Sequence, residues 1–358
     1  MKAIEEMGFV TPSPIQAQTI PHLLAGKDVI GQAQTGTGKT AAFAIPVIEN
    51  IDSSQRQLQA LILCPTRELA LQVTGEFQKL CKYRPDLRIM AIYGGQPIEK
   101  QIKLLHKRPQ IIVGTPGRVL DMVRRGVLTL NTVQMAILDE ADEMLNMGFL
   151  KDIEQILKRM PESRQTILFS ATMPSSILEL TAKYQKNALH IKVSTHEQPL
   201  VSIEQSYYEV QKTEKTTALL NLLKHHEFKL AIIFCNTKWK VDALVKRLKS
   251  AGHPVDGLHG GKTQSQRDRI MQSFRKGGIK FLIATDVAAR GLDVENVEAV
   301  VNFDLPKDTE FYIHRIGRTG RAGRAGQAFS FVEDTEKKQL REIRKYSSAP
   351  LQKRELPA

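Results

Sequence analysis

VIGQAQTGTGKTAAFAIP, residues 29–46, passes from an apolar run through a glycine loop into a helical pattern, and that order sets the reading of the whole chain. A strand that feeds a helix through such a loop turns backbone N–H groups toward a phosphate at the helix N-terminus. Within Gly36-Thr37-Gly38-Lys39-Thr40, the lysine is spaced to reach the terminal phosphates and the threonine hydroxyl to meet Mg²⁺. The strict phosphate-loop pattern has glycine at position 33, where this chain has Ala33. A methyl group is tolerated there if the residue keeps a negative φ. Gly-Lys-Thr in a turn also arises by chance; the flanking strand and helix make nucleotide binding the better reading.

Working outward, AILDEADEML (residues 136–145) ends an apolar run in three carboxylates, Asp139, Glu140 and Asp142, within a chain of net charge +13. Adjacent acids raise one another's pKa unless a cation is present. Beside a phosphate loop, one carboxylate can face the Mg²⁺ shell and the next can polarise water, so the expected cation is magnesium brought in with ATP. A helix N-cap accounts for Asp139 alone. It does not account for Glu140 following an apolar strand in a chain that also carries Lys39 and Thr40. Asp142 reads equally as a solvated first-turn acid.

The 358 residues suffice for two ordinary domains, and 42% apolar content can fill their cores. No run reaches the roughly 18 apolar residues of a membrane span. The start, KAIEEMGFV, is an amphipathic helix pattern and not a secretory signal. Cys64, Cys81 and Cys235 show no Cys-x-x-Cys pairing and are odd in number, which suits buried thiols in a reducing compartment and argues against a zinc site. Net charge is +5 up to His196 and +8 beyond it, as for a polyanion binder that works through both halves. A protein that merely has a basic pI fits the same numbers, so composition does not decide function.

Short β-rich runs alternate with amphipathic stretches throughout. DVIGQ, QALILCP, IMAIYG, QIIVGTP, MAILDE and QTILFSAT read as strands in the first half. LAIIFCN, VDGLHG, KFLIATD, AVVNFD and GQAFSFVE do so in the second. Continuous apolar strands between helices predict an α/β fold with parallel sheets covered on both faces. VSTHEQPLVSIEQ (193–205) breaks the rhythm and contains Pro199. The expected organisation is a first domain over 1–196, a linker over 197–205 and a second domain over 206–358.

At this point the chain resembles the DEAD-box family of ATP-dependent RNA helicases of superfamily 2, and looks most like its bacterial cytoplasmic members. Asp139-Glu140-Ala141-Asp142 spells the family's name, and GFVTPSPIQ (Gly8 to Gln16) resembles its Q motif. AQTGTGKT (Ala33 to Thr40) is similar to the family's phosphate loop, which begins with alanine. PTRELA (Pro65 to Ala70), Gly94-Gly95, TPGR (Thr115 to Arg118) and SAT (Ser170 to Thr172) follow in order. The second half adds IIFCNT (Ile232 to Thr237), QSQR (Gln264 to Arg267), ATDVAARGLD (Ala284 to Asp293) and HRIGRTGR (His314 to Arg321).

The resemblance implies two tandem RecA-like domains, each a mainly parallel sheet with helices on both faces, with nucleotide and RNA in the cleft between them. It assigns Phe9, Gln16, Ala33, Gln34, Thr35, Gly36, Thr37, Gly38, Lys39, Thr40 and Asp293 to the nucleotide, with Gln16 reading the adenine edge and Asp293 the ribose. Without the motif, Gln16 reads as an exposed polar residue on a first helix. Thr40 and Asp139 go to Mg²⁺, and Glu140 to activation of the attacking water. Arg318 and Arg321 are implied to meet the γ-phosphate, although on spacing alone HRIGRTGRAGR reads as a basic patch for nucleic-acid phosphates. Arginines in that role contribute about 10³–10⁵ in rate, roughly 4–7 kcal/mol. The second domain has no Gly-Lys-Thr, which implies one ATP per chain.

RNA contacts carried over are Thr66, Arg67, Gly95, Thr115, Gly117 and Arg118 from the first domain, with Thr285, Arg290 and Gly291 from the second. These groups bind phosphate and sugar without reading bases. One tryptophan and 6% aromatics offer no ribonucleoprotein-type aromatic platform, so binding to single strands or short duplexes is expected to be sequence-independent. Ser170, Thr172, Asp142 and His314 are implied to couple nucleotide state to domain closure, though Ser-Ala-Thr is otherwise just a strand-end turn. Partner proteins of ribonucleoprotein, RNA-decay or ribosome-assembly type fit the family, and a membrane does not.

Only seven residues precede Gly8, which implies that an upstream family aromatic and its adenine stacking are missing. EDTEKKQLREIRKYSSAPLQKRELPA (333–358) reads as one helix and a short tail, with no Arg-Gly-Gly tail or added RNA-binding domain. A minimal core and a truncated chain read alike here. The resemblance implies local, non-processive strand separation driven by closure of the two domains. An ATP-gated RNA clamp and a DNA helicase use the same residues, whereas a non-catalytic scaffold does not require Lys39, Glu140 and Arg321.

Overall fold

The computed structural model describes residues 2–34, 36–193, 203–289, 294, 296–320, 325–347 and 349–357. The chain divides into two units, Met1–Glu197 and Gln198–Ala358. The first holds seven strands: β1 (Val29–Gln32), β2 (Ala60–Leu63), β3 (Ile89–Ile92), β4 (Ile111–Gly114), β5 (Met135–Leu138), β6 (Gln165–Ser170) and β7 (Leu189–Lys192). They lie in the order β3-β4-β2-β5-β6-β1-β7, and every pairing is parallel. The strands are short and almost wholly apolar, as parallel strands buried on both faces must be.

Alternation along each strand sends successive side chains to two separate cores. Val29, Ile62, Ile111, Val113 and Ile137 join one cluster with Leu23, Phe43, Val73 and Phe77, from the helices Pro14–Leu24, Lys39–Asn50 and Arg67–Leu80. Ile30, Leu61, Leu63, Ile112 and Leu138 join the other with Val119, Met144, Ile156 and Ile177, from helices over Pro116–Arg124, Ala141–Asn146, Leu150–Leu157 and Ser175–Tyr184. Each fully buried side chain of this kind contributes roughly 1.5–3 kcal/mol.

The second unit repeats the plan. Its strands are β8 (Ile203–Glu209), β9 (Ala231–Phe234), β10 (Val255–Leu258), β11 (Phe281–Ala284), β12 (Ala299–Asn302), β13 (Gly326–Val332) and β14 (Leu351–Lys353). Their order, β10-β11-β9-β12-β13-β8-β14, is the order of the first sheet position for position, again all parallel. Helices Lys215–His225 and Lys238–Ser250 cover one face, and Gln264–Arg275 covers the other. Among the described residues no helix is long and apolar enough to cross a membrane.

Two expectations need correction. The predicted linker, 197–205, overlaps β8, which begins at Ile203; its first six positions, 197–202, lie outside the described residues. The polar run Ile203–Glu209 hides its strand character because its polar side chains are buried by segments distant in sequence. Gln205, 4% exposed, accepts hydrogen bonds from Tyr312 Oη at 2.9 Å and Ser347 Oγ at 3.0 Å. The predicted helix-plus-tail is helix Lys337–Tyr346 followed by β14, which pairs with β8 through Leu351↔Gln205. β7 was also not predicted, since its alternate half-buried pattern occupies the sheet edge.

Gly114 closes β4 where two elements converge: a Cβ there would sit 2.5 Å from Val119 Cγ2 and 2.8 Å from the Ile92 carbonyl oxygen. The backbone oxygen cannot rotate away. Gly114→Ala is therefore expected to destabilise the first unit by about 1–3 kcal/mol, measured as a lower denaturation midpoint at unchanged slope.

Candidate nucleotide and nucleic-acid site

The sequence-predicted residues of the first unit gather at one edge, where the C-terminal ends of its strands emerge, and strand order sorts them. β1, β5 and β6 carry the loops assigned to the nucleotide, while β2, β4 and β3 carry the loops assigned to nucleic acid.

From β1 the chain turns through Gly36 (φ +84°) and Gly38 (φ +89°) into helix Lys39–Asn50, for which Gly38 is the N-cap. Ala33 is not among the positive-φ residues, which is why a methyl group is accepted at that position. Its N–H donates to Ser170 O at 3.0 Å, and its carbonyl accepts from Lys39 Nζ at 3.0 Å. Thr37 Oγ1 donates to Gln34 O at 2.8 Å, while Thr40 occupies the first helical turn. Ser13 and Gln16 hold the loop from outside. Ser13 Oγ donates to Thr37 O at 2.7 Å, and Gln16 Nε2 donates to Gly38 O at 3.1 Å. A Cβ on Gly38 would lie 2.5 Å from that amide nitrogen, so a side chain there is strained by φ and would also displace Gln16. Gln16 is buried, which removes its reading as an exposed polar residue, and Phe9 is 41% exposed. Thr35 lies outside the described residues.

Asp139 follows β5, with its N–H on Leu63 O at 2.9 Å and its Oδ1 accepting from Glu140 N at 3.0 Å. Burial pushes its carboxyl up to about 7, opposed by the nearby Lys39 ammonium and reinforced by Glu140. The N-cap of the following helix is Glu140, at φ +51°, so the cap reading of Asp139 fails. A non-glycine residue in that region is strained, as is common where geometry serves chemistry. Asp142 is buried rather than solvated: its Oδ2 accepts from both Thr172 N and Thr172 Oγ1 at 2.8 Å. Ser170 Oγ donates to Thr172 O at 2.7 Å. The β5 and β6 loops are thereby tied together through side chains.

On the other side of β5, Thr66 caps helix Arg67–Leu80, its Oγ1 accepting from Leu69 N at 3.2 Å. Arg67 lies over the Tyr93 ring at 4.5 Å. Gly95 (φ +81°) is exposed after β3. Thr115 N donates to Ile92 O at 2.9 Å, Gly117 is exposed, and Arg118 gives both Nη atoms to Gln96 O at 3.1 Å.

In the second unit, Thr285 N donates to Leu258 O at 3.2 Å, His314 is half-buried, and Arg318 Nε donates to His314 O at 3.2 Å. Arg290, Gly291, Asp293 and Arg321 lie outside the described residues. Arg315, on which no role was placed, is 2% exposed. All its N–H groups are engaged: Nε and Nη2 on Asp286 at 2.5 and 2.7 Å, Nη2 on Asn236 Oδ1, and Nη1 on Asn302 Oδ1 and Asp304 O. It is a structural hub, and nothing in the motif's spacing separates it from its neighbours.

Two further sets of residues emerge only from the matching strand orders. His259-Gly260-Gly261 follows β10 as Tyr93-Gly94-Gly95 follows β3. Thr237 caps helix Lys238–Ser250 as Thr66 caps its helix, accepting from Lys240 N at 3.2 Å. Cys64 N to Gly114 O and Cys235 N to Ala284 O, each 2.9 Å, align the two turns. Thr237, Lys238, Gly260 and Gly261 are thus counterparts of the first unit's nucleic-acid loops. The paired words CPT/CNT and YGG/HGG were the available signal. The counterpart of Lys39 is Lys215, at the start of the helix after β8, and its Nζ meets Glu333 at 2.8 Å, Glu336 at 3.5 Å and Asp304 at 3.7 Å. The chain's own carboxylates thus occupy the Lys215 ammonium.

Asp139 yields a stability prediction for nucleotide- and magnesium-free protein. Its folded pKa, about 7, exceeds the 3.8 usual for a solvated aspartate. The wild type therefore loses stability as pH rises between these values, and the loss is complete above the folded pKa. Asp139→Asn is expected to melt higher than wild type at pH 8, by up to about 4 kcal/mol, and to lose that advantage below pH 4. Melting temperatures across this range test it.

Comparison with known proteins agrees with this geometry. The family description "DEAD/DEAH box helicase" matches residues 13–180, and "Helicase conserved C-terminal domain" matches residues 214–323. The chain is 49% identical over 357 residues to the DEAD-box ATP-dependent RNA helicase CshA of Bacillus cereus, spanning 100% of this chain and 68% of that protein. CshA of Bacillus subtilis is 49% identical over 343 residues, 96% of this chain and 69% of the relative. Among solved structures, S. cerevisiae Dbp5 bound to RNA and ADP BeF3 matches with a TM-score of 0.88 and 36% identity, covering 99% of this chain and 93% of Dbp5. Mss116p bound to ssRNA and AMP-PNP matches with a TM-score of 0.87 and 32% identity, covering 99% and 76%. Two parallel sheets of identical order, a phosphate loop tied to the Asp-Glu-Ala-Asp turn, and relatedness along the whole length establish that the chain belongs to the DEAD-box ATP-dependent RNA helicases.

Proposed function

We propose that this protein hydrolyses ATP in an RNA-stimulated manner and uses the cycle for local, non-processive separation of short RNA duplexes or remodelling of ribonucleoproteins. The observation that carries the reading is the shared sheet edge. The Asp139 N–H bonds the Leu63 carbonyl, so the backbone of the nucleotide side is joined to the strand that leads into Thr66 and Arg67.

In this reading Phe9 and Gln16 meet the adenine and Asp293 the ribose. The segment Ala33–Thr40 cradles the phosphates, and Lys39 leaves the Ala33 carbonyl for the terminal ones. Glu140 accepts a proton from the water that attacks the γ-phosphorus, and ADP departs with its new negative charge compensated by Lys39. Arg318 and Arg321 of the second unit stabilise that charge once the units close, which makes hydrolysis depend on bound RNA. Asp142, Ser170, Thr172 and His314 transmit the change. The self-paired Lys215 supports one ATP per chain.

A hard divalent cation fits the residues present. Thr40 and Asp139 offer only oxygen, and burial alone leaves Asp139 partly protonated near neutrality. Among the described residues no cluster of three His, Cys, Asp or Glu could hold a metal by itself, so magnesium would share its coordination with the nucleotide phosphates. Bound there, it would withdraw charge from the phosphates and hold Asp139 ionised.

RNA is held through Thr66, Arg67, Gly95, Thr115, Gly117, Arg118, Thr285, Arg290 and Gly291 by its phosphates and sugars, without regard to sequence. The reading extends to a cytoplasmic site of action among ribonucleoprotein, RNA-decay or ribosome-assembly proteins. The buried free thiols suit a reducing compartment.

The test is steady-state ATP hydrolysis with and without single-stranded RNA. A large stimulation is expected, with Glu140→Gln reducing the RNA-stimulated rate by about 10²–10⁴-fold. Equal rates with and without RNA would sink the coupling. Competition by matched RNA and DNA oligonucleotides is expected to favour RNA, which alone offers 2′-hydroxyls; equal competition would remove RNA selectivity from the reading.

A further inference from the structure

The chain's only tryptophan, Trp239, is 75% exposed in the first turn of helix Lys238–Ser250. That helix packs on the sheet through Val241, Leu244 and Leu248, and Trp239 lies off this buried stripe. Thr237, Lys238 and Trp239 form a run of three exposed residues. The next residue, Lys240, is engaged otherwise: its Nζ donates to Asp304 Oδ1 at 2.7 Å.

The position is informative because the second sheet repeats the first. The β9 turn is the counterpart of the β2 turn, with the same threonine cap and a basic residue after it: Thr66-Arg67 in one, Thr237-Lys238 in the other. In the first unit the next residue is Glu68; in the second it is the indole. β11, which leads to Thr285, pairs directly with β9, and β10 and its Gly260-Gly261 turn lie one strand further. A capped helix start and a lysine suit a phosphate, while an exposed indole beside them offers a flat apolar face. Together they match the two halves of one nucleotide.

We propose that Trp239 is a stacking platform for an RNA base in the second unit, adding an aromatic contact to the phosphate and sugar contacts. Stacking on an aromatic ring tolerates any base, so the contact strengthens binding while leaving it sequence-independent. The proposal rests on the RNA-binding reading above and revises the expectation that this chain lacks an aromatic platform.

Because Trp239 is the sole tryptophan, selectively excited tryptophan emission reports this side chain alone. The full chain with a non-hydrolysable ATP analogue is titrated with single-stranded oligouridine, and anisotropy of a labelled copy of that RNA is followed in parallel. The expected result is a saturable emission change with the same midpoint as the anisotropy curve. Trp239→Ala is expected to weaken RNA binding by about 5- to 100-fold, with Trp239→Phe recovering most of it. Melting curves of both variants verify folding. Anisotropy that shows binding while emission stays constant and Trp239→Ala binds like wild type would overturn the platform, leaving a surface for a protein partner. No anisotropy change at all would instead overturn the RNA-binding reading, and the platform with it.

Discussion

Parallel pairing of strands mostly four residues long is the constraint from which the rest of this protein follows. The central strands are covered on both faces, so they are apolar throughout and leave no room for chemistry within the sheet. All of them also end on the same side. Every polar function is therefore displaced to the turns beyond their C-terminal ends, and those turns are extensions of the ladder. Ala33 bonds Ser170, Asp139 bonds Leu63, Cys64 bonds Gly114 and Thr115 bonds Ile92, each by a backbone hydrogen bond just past the strands. The loops assigned to nucleotide and to nucleic acid are set by this stitching at neighbouring positions in one edge.

Buried charge is handled differently in the two units. Asp139 and Lys39 are both buried, yet the lysine ammonium is directed at a backbone carbonyl and the carboxyl is left with a raised pKa. Lys215 and Arg315 in the second unit are equally buried but fully answered by carboxylates, amide oxygens and a carbonyl. A buried ion held on all sides confers rigidity and leaves little to offer a ligand. The two sheets share an order, and this difference in satisfaction is what separates Lys39 from its counterpart Lys215.

The α/β class, the strands between helices, the phosphate loop and the acidic turn were legible because each is written in local pattern: apolar runs, glycine spacing, and a carboxylate pair after a strand. Polar strand β8 and edge strands β7 and β14 were not, since their residues are accepted through contacts distant in sequence, as Gln205 is by Tyr312 and Ser347. Asp142 reads as a surface acid until Thr172 closes on it, and Gln16 as a surface amide until Gly38 does.

By itself, then, the sequence determined the chemistry available to this protein. Phosphate loops and apolar strands are short-range features, set by backbone torsion and side-chain period. Only the tertiary structure decided which of many similar side chains are locked into a core. Arg315 and Arg318 stand three residues apart in one basic motif, yet Arg315 has every donor tied into the second unit's core. Trp239 is one letter in a helix start until strand order sets it among turns that mirror the nucleic-acid loops. Burial and partnership are properties of packing between distant segments, and no local pattern encodes them.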